Sequence, residues 1–183
     1  TITRDPLPTI TGLIRSLGAL GAALTQFGAT FFTAGGDGSL GGLFVGAAGD
    51  VNNDGIEDFV IGAPLADPAG NLDAGKAYVV YGAADFPQGE VLLSDVGTTV
   101  PGVTVQGAAA GDRLGSSVGG GFDVNGDGIA DALVGAPFAD TLVSTPDDAG
   151  ETYVISPVSS DEVVLLSLSP SDPATTVFLE WTV

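Results

Sequence analysis

The sequence predicts an all-β protein that contains two similar antiparallel units, and a repeated pattern is the basis of this prediction. An acidic loop occurs twice, as DVNNDGIED at Asp50–Asp58 and as DVNGDGIAD at Asp123–Asp131. Nearly the same apolar run follows each copy, FVIGAP after the first and ALVGAP after the second. Short segments rich in β-branched and aromatic residues, punctuated by Gly, Pro and Asp, are typical of antiparallel strands. A long repeat of this kind indicates one supersecondary unit that is used twice.

The composition excludes several classes of protein. The chain of 183 residues has 23 acidic and four basic residues, which gives a net charge of −19. Such a surface repels nucleic acid and anionic membranes, so we expect no nucleic-acid partner. The hydrophobic content of 44% is that of a globular protein rather than a disordered one. Cys and His are absent, which rules out a disulfide framework and the usual catalytic triads.

Residues 1–30 are predicted to form an apolar N-terminal arm. Its larger apolar residues recur at three- and four-residue spacing, which suits an amphipathic helix. Glycines in the same stretch weaken the helix prediction, so helix and strand both stay open. Arg15 and these glycines argue against a membrane span. The apolar residues are Leu13, Leu17, Leu20, Leu24 and Phe27.

The two repeated units are predicted at residues 31–97 and 98–160. They align from Phe32 and from Thr104, and each continues through a polar loop into a strand that carries an aromatic residue. These strands are expected within Ala74–Gly82 and Ala149–Pro157.

Residues 161–183 are predicted to form a C-terminal strand segment. It holds two strand-like runs, Val163–Leu168 and Thr175–Val183. In the second run apolar and polar residues alternate over most of the length, which is the period of a half-buried strand.

Each acidic loop carries the oxygen ligands of a divalent cation. Three oxygen-bearing side chains alternate along the loop, so a curled backbone can aim all of them at one point. A glycine follows them, where a sharp turn requires a positive φ. Hard oxygen donors suit Ca²⁺ rather than Zn²⁺, which favours His and Cys. We therefore predict two Ca²⁺ sites, with backbone carbonyls from the isoleucines and side-chain oxygens from the other residues. The first set is Asp50, Asn52, Asp54, Ile56 and Asp58, and the second is Asp123, Asn125, Asp127, Ile129 and Asp131.

Two other interpretations of these loops are less favoured. An EF-hand requires a glutamate at the twelfth position, where this chain has Ile61 and Val134. A purely structural interpretation treats Asp, Asn and Gly as good turn formers. Three carboxylates within nine residues repel one another, however, and a cation relieves that repulsion in both copies.

The run G-D-x-N-x-D-G-x-x-D followed by two apolar residues and x-G-A-P resembles the FG-GAP repeat of the integrin α-chain β-propeller, which also occurs in many bacterial extracellular proteins. Gly49–Pro64 matches it fully, and Phe122–Pro137 matches it with Phe122 in place of the leading Gly. The resemblance covers roughly Phe32 to Pro157. It implies a blade of four antiparallel strands whose first two strands are joined by the calcium loop, with the same ligands as above.

Two departures from the family pattern affect this expectation. The Phe-Gly pair ahead of each loop is replaced by Leu40-Gly41 and by Leu114-Gly115. Only two motif copies are present, whereas closed propellers use about four to eight blades. Two blades leave sheet edges exposed. We therefore expect a larger propeller, a different two-unit sheet assembly completed by the N- and C-terminal segments, or neighbouring molecules that cover the edges.

Two strings that resemble catalytic motifs are interpreted as structural. Gly115–Gly119 reads GSSVG, the nucleophile-elbow string, but the chain has no histidine to complete a triad. Gly70–Ala77 approaches a phosphate-binding loop, but Ala77 stands where Ser or Thr should hold Mg²⁺, so a hairpin is expected.

The favoured hypothesis is a non-enzymatic, calcium-binding structural or adhesion protein located outside the cell or on its surface. In it Ca²⁺ rigidifies β units that self-associate into a larger assembly or filament, with strands exchanged between copies. The alternative is a fragment of a larger integrin-like β-propeller that binds a protein or glycan ligand through its loops.

Overall fold

The described part of the chain is made of β-strands. A computed structural model describes residues 29–32, 43–87, 89–140, 149–159, 162–168 and 178–180. Helical structure in these ranges is limited to two short 3-10 turns, at Pro68–Gly70 and Leu93–Asp95. The strands are β1 (Ala29–Phe32), β2 (Phe44–Gly49), β3 (Asp58–Ala63), β4 (Lys76–Val80), β5 (Gly89–Leu92), β6 (Gly102–Gln106), β7 (Ser117–Phe122), β8 (Asp131–Ala136), β9 (Glu151–Ser159), β10 (Glu162–Leu168) and β11 (Phe178–Glu180).

Two antiparallel sheets correspond to the two predicted units, which confirms the all-β, two-unit fold class. The first sheet has the order β2-β3-β4-β6, and the second has the order β11-β10-β9-β8-β7. Equivalent strands share one register, since Phe59 pairs with Val80 and Ala132 pairs with Ile155. β6 lies in the part of the chain assigned to the second unit but pairs with β4 of the first sheet. The division into four segments otherwise stays a prediction.

Each acidic loop joins the first two strands of its sheet, as the family resemblance implies. The first loop connects β2 to β3, and the second connects β7 to β8. A β-bulge precedes each loop, between Ala47 and Gly49 in one sheet and between Gly120 and Phe122 in the other. A bulge bends its strand, so each loop leaves its sheet at a bend. The positive φ falls on Gly49 in the first repeat and on Gly121 in the second.

The two sheets pack face to face at a distance that only glycine permits. A Cβ atom on Gly62 would lie 2.1 Å from the carbonyl oxygen of Gly115, and one on Gly46 would lie 3.0 Å from that of Val118. Small and β-branched side chains fill the rest of this interface, including the fully buried Val60 and Val134. The relative position of the sheets is therefore set by main-chain contacts.

A third group of strands covers the other face of the first sheet. β1 and β5 form a parallel pair, with Ala29 opposite Gly89 and Phe32 opposite Leu92. Phe31 packs edge-on to Phe59 with ring centroids 5.5 Å apart, and Phe86 lies within 6.4 Å of both. This pair was not predicted from the sequence. It buries the apolar side of β3 and β4 that the second sheet does not reach.

The terminal predictions are tested only where the structure describes them. The run Val163–Leu168 is confirmed as a strand, β10, and β11 falls inside the predicted run Thr175–Val183. The helical interpretation of the N-terminal arm lies outside the described residues. The stretch Gly70–Ala77 is a turn that leads into β4, as expected for a hairpin. Within the described ranges, no helix has the length and apolar character needed to cross a membrane.

Candidate metal centres

The first acidic loop is curled by hydrogen bonds from its own backbone to its own side chains. The carboxylate of Asp50 accepts the N–H groups of Asp54 at 3.0 Å and of Gly55 at 2.8 Å. Oδ1 of Asn52 accepts the N–H of Asp54 at 3.1 Å, and Oδ1 of Asp54 accepts the N–H of Ile56 at 2.8 Å. The side chains of Asp50, Asn52 and Asp54 are therefore gathered around one short piece of backbone.

The second loop repeats these four hydrogen bonds. The carboxylate of Asp123 accepts the N–H groups of Asp127 at 3.0 Å and of Gly128 at 2.9 Å. Oδ1 of Asn125 accepts the N–H of Asp127 at 2.8 Å, and Oδ1 of Asp127 accepts that of Ile129 at 2.8 Å. The repeat in sequence is thus also a repeat in backbone conformation.

The aspartate that closes each loop is buried at the start of the second strand. Asp58 is 3% exposed and Asp131 is 0% exposed. Oδ2 of Asp58 accepts the N–H of Val51 at 2.8 Å, and Oδ2 of Asp131 accepts the N–H of Val124 at 2.6 Å. These bonds tie the beginning of each loop to its end.

The second carboxylate oxygen distinguishes the two closing aspartates. Oδ1 of Asp58 accepts the N–H of Gly82 at 2.7 Å. Oδ1 of Asp131 is buried and has no hydrogen-bond partner in the described part of the chain. A buried polar atom without a partner is rare and costs free energy.

Burial and neighbouring carboxylates determine the electrostatics of the closing aspartate in the first loop. The pKa of Asp58 is raised to about 7, mainly by burial and also by the negative charges of Asp54 and Asp50. The N–H groups of Gly82 and Val51 act in the opposite direction, because they stabilise the carboxylate. A cation next to Asp58 would also favour the carboxylate.

The described residues fit a Ca²⁺ ion by their chemistry, although not as a dense cluster of acids. Over those residues, no group of three or more His, Cys, Asp or Glu side chains is arranged to hold a metal ion. Each predicted set is mixed, with an Asn oxygen and an Ile carbonyl beside three carboxylates. Hard oxygens of this kind are the ligands of Ca²⁺, and the unpartnered Oδ1 of Asp131 is an oxygen that such an ion would satisfy. The ligand assignments themselves stay predictions.

Two polar contacts of the loops, one in each sheet, were not predicted from the sequence. Oγ of Ser156 accepts a hydrogen bond from Nδ2 of Asn125 at 2.7 Å. This bond links the second loop to β9, the third strand of the second sheet. Gly82, the donor to Asp58, lies just beyond β4 in the first sheet. The sequence alignment of AGKAYVVYG with AGETYVISP already indicates a difference between the repeats at these positions. It aligns Ser156 with Tyr81 and Pro157 with Gly82.

A second group of acids lies outside the loops. Asp112 is 5% exposed, and its Oδ2 accepts the N–H of Ala109 at 2.8 Å. Burial raises the pKa of Asp112, the N–H of Ala109 lowers it, and the charges of Asp140 and Glu151 raise it. The hydroxyl of Tyr153 donates to Oε2 of Glu151 at 2.5 Å.

Comparison with known proteins identifies the repeated units. The family model described as "FG-GAP repeat" matches residues 43–80 and 114–155, and each match includes one acidic loop. The chain carries two FG-GAP repeats. The described sheets of these repeats are the blade-like antiparallel units that the family implies, and the family prediction made from the motif is confirmed.

Several curated proteins are similar to the FG-GAP repeats of this chain. Integrin alpha pat-2 of Caenorhabditis briggsae is 36% identical over 99 residues, which cover 52% of this chain and 7% of that protein. Integrin alpha-E of Mus musculus is 35% identical over 101 residues, or 52% of the chain and 8% of the relative. Phosphatidylinositol-glycan-specific phospholipase D of Bos taurus is 36% identical over 88 residues, or 48% and 10%. The matched region therefore corresponds to a tenth or less of each of these relatives.

Proposed function

We propose that this chain is a non-enzymatic calcium-binding structural or adhesion module of the extracellular type, in which each FG-GAP repeat holds one Ca²⁺ in its acidic loop. The observation that carries the proposal is the buried Oδ1 of Asp131, which has no partner in the described residues and closes a loop of gathered oxygens. Asp50, Asn52, Asp54 and Asp58, with the Ile56 carbonyl, would hold one ion. Asp123, Asn125, Asp127 and Asp131, with the Ile129 carbonyl, would hold the other.

The bound ion would supply positive charge at a point where carboxylates converge. Without it, the negative charges of Asp54 and Asp50 add to the effect of burial in raising the pKa of Asp58. With it, each loop becomes a fixed connection between the first two strands of its sheet. Extracellular calcium sites bind with dissociation constants of about 10⁻⁴ to 10⁻³ M, which matches the calcium available outside cells.

A non-enzymatic role is preferred although some relatives carry the name of a phospholipase. The similarity to the Bos taurus phospholipase D covers 10% of that protein. This chain has no histidine and no cysteine, so the usual triads built on these residues are not available to it. The similarity to integrin α chains favours an adhesion role.

We also propose that copies of the chain associate through the loop end of the second sheet. Phe122 is 63% exposed and Val124 is 47% exposed at that end. Val51, the counterpart of Val124 in the first repeat, is 2% exposed and belongs to the core between the two sheets. The second repeat therefore exposes an apolar surface that the first repeat buries, and such surfaces mark interaction sites.

The alternative, a fragment of a larger integrin-like propeller that binds a protein or glycan through its loops, requires a third blade on the second sheet. In the first repeat, Gly49 lies against the second sheet, and a Cβ there would be 2.7 Å from Cβ of Ala130 and 2.9 Å from Cα of Gly121. Phe122 occupies the corresponding position in the second repeat. A third blade would have to accommodate this phenylalanine, whereas the second sheet meets a glycine in the first repeat.

Sedimentation analysis in CaCl₂ and in EDTA tests the association. We expect a larger species in calcium and a monomer in EDTA, and we expect Phe122→Ser to shift the calcium-loaded sample toward the monomer. Leu72→Ser is the matched control, because Leu72 is 66% exposed and lies in the connection between β3 and β4. A chain that stays monomeric in saturating calcium would contradict self-association and favour the fragment hypothesis. Isothermal titration with CaCl₂ tests the two ion sites directly.

A further inference from the structure

We propose that Pro157 makes the second acidic loop bind its cation more tightly than the first, because it withholds the backbone donor that Gly82 supplies in the first repeat. The inference rests on the proposed binding of Ca²⁺ in both loops. It adds that the two sites are unequal and that one residue outside both loops sets much of the difference.

Gly82 and Pro157 occupy the same place in the two sheets. Phe59 follows the closing aspartate of the first loop and pairs with Val80, two residues before Gly82. Ala132 follows the closing aspartate of the second loop and pairs with Ile155, two residues before Pro157. The backbone nitrogen at position 157 is therefore in register to meet the closing aspartate, as that of Gly82 does.

The chemistry at this position differs because proline has no N–H group. The N–H of Gly82 donates to Oδ1 of Asp58 at 2.7 Å. The corresponding oxygen, Oδ1 of Asp131, has no partner in the described part of the chain, and the residue is 0% exposed, so bulk water does not substitute. The other carboxylate oxygen, Oδ2, accepts a backbone hydrogen bond in both loops. The donor is the N–H of Val51 at 2.8 Å in the first loop and the N–H of Val124 at 2.6 Å in the second. The difference is thus confined to one oxygen atom.

An unpartnered buried oxygen destabilises the cation-free form of the second loop. A cation that contacts this oxygen removes that penalty, and a penalty present only in the free state is recovered as binding free energy. In the first loop the N–H of Gly82 already satisfies Oδ1 of Asp58, so cation binding there recovers less free energy. For the usual cost of an unsatisfied buried group, the second loop should bind Ca²⁺ about five- to 150-fold more tightly than the first.

Variants of the full chain that keep one loop each allow the two sites to be compared. Asp54→Ala removes a ligand of the first loop and leaves the second, and Asp127→Ala does the reverse. Titration calorimetry with CaCl₂ should show the tighter site in the Asp54→Ala variant. Adding Pro157→Ala to that variant restores an N–H and should weaken Ca²⁺ binding by about five- to 150-fold.

Three further measurements separate the proposed cause from general effects of substitution. Pro157→Ala alone should raise the melting temperature in EDTA, where no cation is bound. Gly82→Pro in the Asp127→Ala background should tighten Ca²⁺ binding to the first loop, and Gly82→Ala, which keeps the N–H, should leave it unchanged. Circular dichroism checks that each variant is folded, and the Pro157→Ala comparison stands by itself if Gly82→Pro does not fold.

The outcomes distinguish this inference from the proposed function. If both loops bind Ca²⁺ with equal affinity, and Pro157→Ala changes neither the affinity nor the melting temperature in EDTA, the inference is wrong while calcium binding stands. If neither loop binds Ca²⁺, the proposed function fails together with the inference. A higher melting temperature of Pro157→Ala in EDTA would then support only the hydrogen-bond difference between the repeats.

Discussion

The contact between the two sheets gives a sharp prediction, because the same motif glycine meets different neighbours in the two repeats. Gly62 and Gly135 are the glycines of the two GAP sequences, and neither has a positive φ. A Cβ on Gly62 would lie 2.1 Å from the carbonyl oxygen of Gly115. A Cβ on Gly135 would lie 2.3 Å from Oγ of Ser117, the end of an exposed and rotatable side chain. We expect Gly62→Ala to destabilise the chain and Gly135→Ala to be tolerated.

The size of the expected change in stability depends on which atoms have to move to accept the new Cβ. The oxygen of Gly115 is main chain, and its residue is held by an N–H bond of 2.9 Å to the carbonyl of Gly135. Relieving the clash at Gly62 therefore requires the sheets to separate by about 1 Å, and overpacking of this kind costs about 1–3 kcal/mol. Ser117 can instead rotate into solvent, and Ala in a strand is favoured over Gly by about 0.5–1 kcal/mol, so Gly135→Ala should be neutral or slightly stabilising.

Urea unfolding and calorimetry of the wild type and the two variants would measure these differences. For a chain of this size we expect Gly62→Ala to lower the melting temperature by about 2–12 °C. Gly135→Ala should leave the melting temperature unchanged or raise it slightly. Equal destabilisation by the two substitutions would refute the assignment of the sheet interface to main-chain contact at Gly62.

Three further predictions follow from the loops, the buried acid and the aromatic cluster. The double variant Asp54→Ala with Asp127→Ala should lose the rise in melting temperature that CaCl₂ produces; an unchanged rise would contradict the ligand assignment. Because burial raises the pKa of Asp112, the folded chain holds this proton to a higher pH than the unfolded chain does. Stability should therefore fall as the pH rises from about 4 through the raised pKa, and urea midpoints of Asp112→Asn, which keeps an acceptor oxygen, should lack that part of the decline. Phe31→Ala, at a site that is 2% exposed, should cost about 3–5 kcal/mol; a loss below 1 kcal/mol in urea unfolding would argue against the packing of β1 on the first sheet.

The acidic loops and their strands could be predicted from the sequence because their determinants are local. The hydrogen bonds of the first loop join residues two to seven positions apart, such as Asp50 to Gly55 and Val51 to Asp58. Alternation and turn residues likewise identified β4, β9 and β10 within a few residues of their ends. A short motif specifies such elements without knowledge of the rest of the chain.

The parallel pair β1–β5 and the sheet assignment of β6 could not be predicted in this way. Ala29 pairs with Gly89 across most of the first repeat, and no turn signal accompanies a parallel contact of this kind. β6 lies ahead of the second loop in sequence but completes the first sheet. The different hydrogen bonding of Asp58 and Asp131 needed the strand register, because Gly82 is 24 residues from its acceptor.

The position of the aromatic cluster bears on how such a repeat could be transplanted. The family match of the first repeat covers residues 43–80. One face of that segment is closed by Phe31, Phe86 and Leu93, all from outside it, and the other by the second repeat. A protein engineer who grafted residues 43–80 into another scaffold would carry over a cation loop on a sheet with both apolar faces bare. A transplantable segment therefore runs at least from Ala29 to Gln106, so that it includes β6, and it still needs a partner for its second apolar face. The unit that recurs in sequence is smaller than the unit whose apolar faces are covered.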